Sequence, residues 1–159
     1  MLDLILAIKF VHVVAAAAML GTWLGVAIFM LLAHRSDNPS VVAVTSRFAV
    51  TAELRVMIAA VALQPISGFA LAGAIGISPV GEFWLVLSLP LYALIVVAWI
   101  VALRAEIRIR ELTRQAALDG VPLTDTYRTL FRRYSALTWP ALAGTVLLFL
   151  LMTWQPKLS

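Results

Sequence analysis

The chain has 159 residues, 63% of them hydrophobic and 13% charged, and its mean hydropathy of +1.01 lies far from the balance of a soluble domain. It contains no cysteine, which excludes disulfides, thiolate metal sites, iron–sulfur ligation and covalent c-type haem attachment together. The net charge of +4 does not point to nucleic acid, because the basic residues stand beside apolar runs, where they set orientation and meet lipid.

The first apolar run, Phe10 to Ala33, holds His12 as its single ionisable residue. About 20 apolar residues at 1.5 Å each match the hydrocarbon core, so a helix over about residues 5–33 crosses a bilayer. The run is too long for the apolar region of a signal peptide, and Asp3 stands where a basic start belongs, so this span is expected to stay. Charge and turn formers from His34 to Pro39 end it. Asn38 followed by Pro39 reads as an N-cap with proline at the first helical position. Helix two starts there, lies partly in the interface through Arg47 and crosses over about residues 56–76. Pro65 interrupts its hydrogen-bond ladder, and Ser67 or a neighbouring helix is expected to serve the carbonyl that the proline frees.

A connection rich in glycine and proline, without lysine or arginine, leads to helix three. That helix is apolar over about residues 83–103, passes Pro90 and continues as RAEIRIRELTRQA. The continuation predicts a wet helix projecting about three turns, with Glu106 and Arg110 four apart in the favourable order. Asp119 to Pro122 ends it. Thr124 or Asp125 caps helix four, which crosses over about residues 134–154, passes Pro140 and leaves at Trp154-Gln155-Pro156.

Arg35, Arg47 and Arg55 flank the first connection, and Arg104, Arg108, Arg110, Arg114, Arg128, Arg132 and Arg133 flank the third. Lys9 and Lys157 stand at the other end, so both arginine-rich connections are expected in the cytoplasm and both termini outside. Phe83, Trp84 and Trp154 are expected at one interface, and Phe48, Tyr127, Phe131 and Tyr134 at the other. There is no clear internal repeat or low-complexity tract. The fold predicted is all-α: a single integral membrane domain over 1–159, a four-helix transmembrane bundle with helices kinked at Pro65, Pro90 and Pro140 and a cytoplasmic helical extension of helix three.

On helix one, steps of about 100° put Ile5, Lys9, His12, Ala16, Met19 and Trp23 on one side and Gly21 and Gly25 on the opposite side. Three readings of His12 stand open. It can be an axial ligand of b-type haem, a proton relay, or a buried imidazole that only hydrogen-bonds to a carbonyl. Depth along the helices makes Tyr92 the one protein candidate for a second ligand. Met19 lies two turns deeper and can line a pocket, and His34, about 33 Å away along the helix, cannot reach the same iron. One axial ligand with an open position is the haem geometry expected. Lys9 can meet a propionate or snorkel to headgroups. The Gly21-x-x-x-Gly25 face suits close helix packing, either within the monomer or against a second subunit. Glu53 is expected to pair with a neighbouring arginine, with proton acceptance as the other reading.

Lys9-Phe-Val-His12, the small-residue helix with Gly21 and its end at His34 resemble the first span of the HemJ type of protoporphyrinogen oxidase, a four-helix membrane protein using b-type haem. Leu63-Gln64-Pro65-Ile66-Ser67-Gly68, Trp84-Leu85-Val86-Leu87-Ser88-Leu89 and Tyr127-Arg128-x-Leu130-Phe131 resemble family 2269 of bacterial predicted integral membrane proteins, across essentially the whole chain. The HemJ resemblance implies His12 as axial ligand and Lys9 as a pocket residue. This chain departs from that pattern in having no lysine in span three and Thr138-Trp139-Pro140 in span four. The expected function is a b-haem-binding redox protein of the bacterial inner membrane, with a quinone as partner and metal contact through His12 alone. The alternative is a non-catalytic subunit or assembly factor, homo-oligomeric or part of a complex, held by helix one and the basic hairpin.

Overall fold

The structure, a computed structural model, describes residues 2–78 and 81–156; Lys157, counted above with Lys9, lies outside the described residues. Four helices are long and apolar enough to cross a membrane: α1 (Leu2–Arg35), α2 (Pro39–Ala74), α3 (Phe83–Asp119) and α4 (Asp125–Trp154). No strand occurs among the described residues, so the all-α, four-span architecture expected from the sequence is the one found.

Local chemistry sets the helix ends. The Asn38 side chain accepts from Ser40 N–H at 2.9 Å and Val41 N–H at 3.4 Å, and Pro39 follows where no donor is needed. Of the two caps weighed for α4, Thr124 serves, its hydroxyl accepting from Tyr127 N–H at 3.3 Å. Gly120 closes α3 at φ +65°, a left-handed turn that a side chain disfavours.

Proline at 65 leaves the Val61 carbonyl without its N–H donor. Tyr92 of α3 replaces it, its hydroxyl donating to Val61 O at 2.6 Å. The neighbouring helix thus serves the freed carbonyl, while Ser67 bonds back to the Leu63 carbonyl of its own helix.

Each inner helix buries a stripe whose steps alternate between four and three, the spacing of interlocking side chains between nearly antiparallel helices. On α3 it runs Ile95, Trp99, Ala102, Glu106, Ile109, Thr113, Ala116; on α4 it runs Tyr127, Phe131, Tyr134, Thr138, Ala141, Thr145, Leu148. On α2 two fours follow each other at Ala49, Glu53 and Met57, and there a π-helical turn, Glu53–Met57, takes up the extra residue. Before this turn α2 packs on α3; beyond it α2 packs chiefly on α1.

The stripes overturn two expectations. The extension of α3 is not wet all round: Glu106 is 0% exposed and makes no ion pair with Arg110. Tyr127, Phe131 and Tyr134 do not mark a lipid interface but lie buried in the core near the arginine-rich end, because their spacing places them on the stripe of α4 that faces α3. Trp84, expected at the opposite interface, is buried as well, whereas Phe48, Phe83 and Trp154 are exposed, as interfacial residues are.

Candidate functional site

His12 is tied to α2 at three points. Its Nδ1 lies 2.9 Å from Ser67 Oγ, its carbonyl accepts from Gln64 Nε2 at 3.0 Å, and its ring rests on Gly68, where an added Cβ would stand 3.3 Å from Cε1. The tautomer follows from Ser67. Its single hydroxyl hydrogen is committed to the Leu63 carbonyl, which can only accept, so Oγ accepts from His12 Nδ1–H. Nε2 then carries the lone pair, and fixing one ring nitrogen so that the other can bind is how ligating histidines are held. Such a donor can take one coordination position on a metal, haem iron included, or accept a proton.

The residues grouped with His12 from the sequence do not converge on it. Lys9 is exposed one turn nearer the chain start, and Met19 is buried in a core cluster with Trp23, Met57 and Trp99. Tyr92 is not free to be a second ligand, since its hydroxyl serves Val61 O. Two open grooves, of about 560 and 490 Å³, lie between α3 and α4 near Arg108 and Arg133, away from all four residues. Around Gly21 and Gly25 there is nothing within 4 Å of an added Cβ, so that face does not serve packing inside the monomer.

A second polar centre stands at the π turn. Glu53 is 1% exposed, and its Oε2 accepts from Trp99 Nε1–H at 3.2 Å. Its carboxyl and that of Glu106 are within hydrogen-bonding reach of each other, α2 against α3. Tyr134 of α4 lies near both acids and Thr138 lies beside Tyr134; both are buried, and neither hydroxyl bonds a carboxylate among the described residues. Contrary to the expected arginine pair, no cation among the described residues bridges Glu53.

The comparisons with known proteins bear on the whole chain. A family model described as predicted integral membrane protein (DUF2269) matches residues 6–156. The chain belongs to this family. Nothing matches it among curated proteins or among solved structures.

In this DUF2269 chain a third cluster closes the arginine-rich end. His34 Nδ1 lies 2.9 Å from Tyr127 OH, and its ring stacks on Phe131 with centroids 3.8 Å apart and planes 15° apart. Arg128 bonds Asp37 at 3.0 Å, fastening α4 to the loop after α1. Burial, then the nearby Arg128 charge, holds the His34 pKa below its ordinary value. Sequence reasoning missed the acid pair, although its signal was present: Glu106 falls on the stripe Trp99, Ala102, Glu106, Ile109, and Glu53 falls four residues after Ala49 and four before Met57.

Proposed function

We propose that this DUF2269 protein is a small redox protein of the bacterial cytoplasmic membrane that binds b-type haem through His12, in a role like that of the HemJ-type oxidases. The observation that supports this most is the His12–Ser67 bond, because it leaves Nε2 as a ready axial donor. Ser67 and Gln64 hold the imidazole by its ring and its backbone, and Gly68 gives the ring room. Lys9, exposed one turn nearer the chain start, would be the residue to pair with a propionate. Bound haem would supply one-electron chemistry there, with His12 as the protein group that holds it. A porphyrinogen is the substrate class and a membrane quinone the acceptor class. The arginine excess at the His34 end supports a cytoplasmic position for that end and an outer one for both termini.

The test is the absorption spectrum of the detergent-purified protein, before and after dithionite. A Soret band and sharpened reduced bands are expected, with loss of both in His12→Ala at unchanged protein yield. A protein that stays colourless after haem is added rejects the reading, and a coloured His12→Ala rejects the ligand.

A second reading is supported by the open space at Gly21 and Gly25: a non-catalytic subunit whose α1 packs against another chain, or against a second copy. Under it, Gly21→Leu with Gly25→Leu dissolves an assembly seen by native mass. An assembly that survives removes that face from consideration.

A further inference from the structure

Most buried polar side chains of the bundle satisfy themselves on their own helix. Ser88, Thr113 and Thr145 each donate to the carbonyl one turn back. The buried polar atoms left without a partner gather in one place. Of the six buried side-chain atoms without a partner among the described residues, five are Glu53 Oε1, both oxygens of Glu106, and the Tyr134 and Thr138 hydroxyls. The sixth, Trp23 Nε1, lies in the adjoining core cluster.

An ionised carboxylate only accepts hydrogen bonds, and among the described residues Trp99 is the one donor bonded to this pair, at Glu53 Oε2. Two facing carboxylates, both ionised, would leave three oxygens unsatisfied in a site that water does not reach. The charged and titratable groups acting on the pair are Arg110, one turn along from Glu106, and Tyr134 from α4. Arg110 makes no ion pair with Glu106, so it does not neutralise the site. A proton on one carboxyl removes one charge and creates the missing donor at the same time. The Tyr134 hydroxyl, near both acids, then has a carboxyl oxygen to donate to.

We propose that Glu53 and Glu106 form a proton-binding site in which one proton is held between the two buried carboxyls, with the Tyr134 hydroxyl as a nearby donor. The ligand is the proton, not a metal ion: two carboxylates with no third acidic or histidine partner make a poor cage for a divalent cation. Loading adds one proton to the site and moves no electron, leaving a net charge of about −1 on the pair. The π turn lies where Glu53 enters the site, and such turns recur at functional positions. The assignment does not rest on the haem reading, since neither acid is near the His12–Ser67 contact in the sequence of α2 or α3.

Infrared spectroscopy of the whole protein in nanodiscs tests it, through the carbonyl stretch of a protonated carboxylic acid. About one protonated carboxyl per chain is expected at neutral pH, shifted in heavy water. Glu106→Gln and Glu53→Gln should each abolish the band, because the new amide donates to the remaining carboxylate. Tyr134→Phe should shift the band without removing it. Glu111→Gln, at an exposed carboxylate paired with Arg114 at 2.7 Å, should leave it unchanged. Absence of the band in the wild-type protein at neutral pH overturns the proposal, as does its survival in both glutamine variants. Loss of the wild-type band on adding sodium or potassium at constant pH also overturns it, by making the ligand a metal cation. Should one glutamine variant fail to fold, the other and Tyr134→Phe still decide the matter.

Discussion

Tyr92→Phe isolates one bond in the membrane core, because it removes the hydroxyl and little volume. The Val61 carbonyl would lose the donor that substitutes for the missing N–H of Pro65. An unsatisfied buried acceptor costs about 1–3 kcal/mol in water-soluble proteins. Interhelical side-chain bonds in membrane proteins average about 0.6 and reach about 1.7 kcal/mol, because the dispersed helices also find partners. The expected loss is therefore about 1 kcal/mol, read from unfolding in mixed micelles of rising dodecyl sulfate content. A single variant cannot separate the bond from the packing of the ring, so the informative design is a double-mutant cycle with Pro65→Ala.

Alanine at 65 restores an N–H one turn after Val61, and the carbonyl then has a donor on its own helix. In that background Tyr92→Phe should cost less than about 0.5 kcal/mol, leaving a coupling energy close to the whole effect. Equal losses in both backgrounds would refute the argument and assign the contribution of Tyr92 to packing against α2.

Three further outcomes follow from the same contacts. Burial and Arg128 hold the His34 pKa below its ordinary value, so the unfolded chain binds the proton more readily. The stability this cluster contributes is full above the unfolded value of about 6.5 and is lost as the pH falls from there towards the folded pKa. The melting temperature should therefore drop more between pH 7.5 and 5.5 in the wild type than in His34→Gln, and parallel profiles would reject the role of His34. Gly68→Ala places a methyl 3.3 Å from His12 Cε1, so the ring must give way by a few tenths of an ångström. The NMR signal of the His12 ring N–H should shift while the melting temperature holds, and an unmoved signal would remove Gly68 from the histidine's surroundings. Gly21→Leu with Gly25→Leu meets open space, so the stability of the isolated monomer should change by less than about 1 kcal/mol. A larger loss in micelle unfolding would mean that this face packs inside the chain after all.

Much of the fold is legible because lipid imposes a coarse rule. A helix must satisfy its own backbone and present about 20 apolar residues, and four such runs with an Asn38-Pro39 cap and a Gly120 stop leave little freedom. The face of α1 was also legible, with Met19 and Trp23 inside and Gly21 outside. Reading charge as a mark of water failed at Glu106, because its neighbours Arg104 and Arg108 are exposed while its own position lies on the buried stripe of α3. Charge density describes a segment, whereas burial belongs to a helical position. The same error put Tyr127, Phe131 and Tyr134 at the lipid interface. The π turn was hidden for another reason: an extra residue in a ladder has no composition, and only the double four-step at Ala49, Glu53 and Met57 betrays it.

That turn links the two polar centres. If α2 kept a regular α-helical ladder throughout, a residue that now lies on its inner stripe before Glu53 would be about 100° out of phase with the stripe after Met57. Either Glu53 would leave Trp99 and Glu106, or Gln64 and Ser67 would leave His12. The wide turn lets a single helix meet α3 with its acid and α1 with the residues that fix the imidazole. A straightened turn would therefore disturb both centres, which makes deletion of Leu54 a direct probe. The infrared carboxyl signal and the His12 ring N–H signal should change together in that variant. Change in one alone would mean that the two halves of α2 are positioned independently, each by its own packing partner.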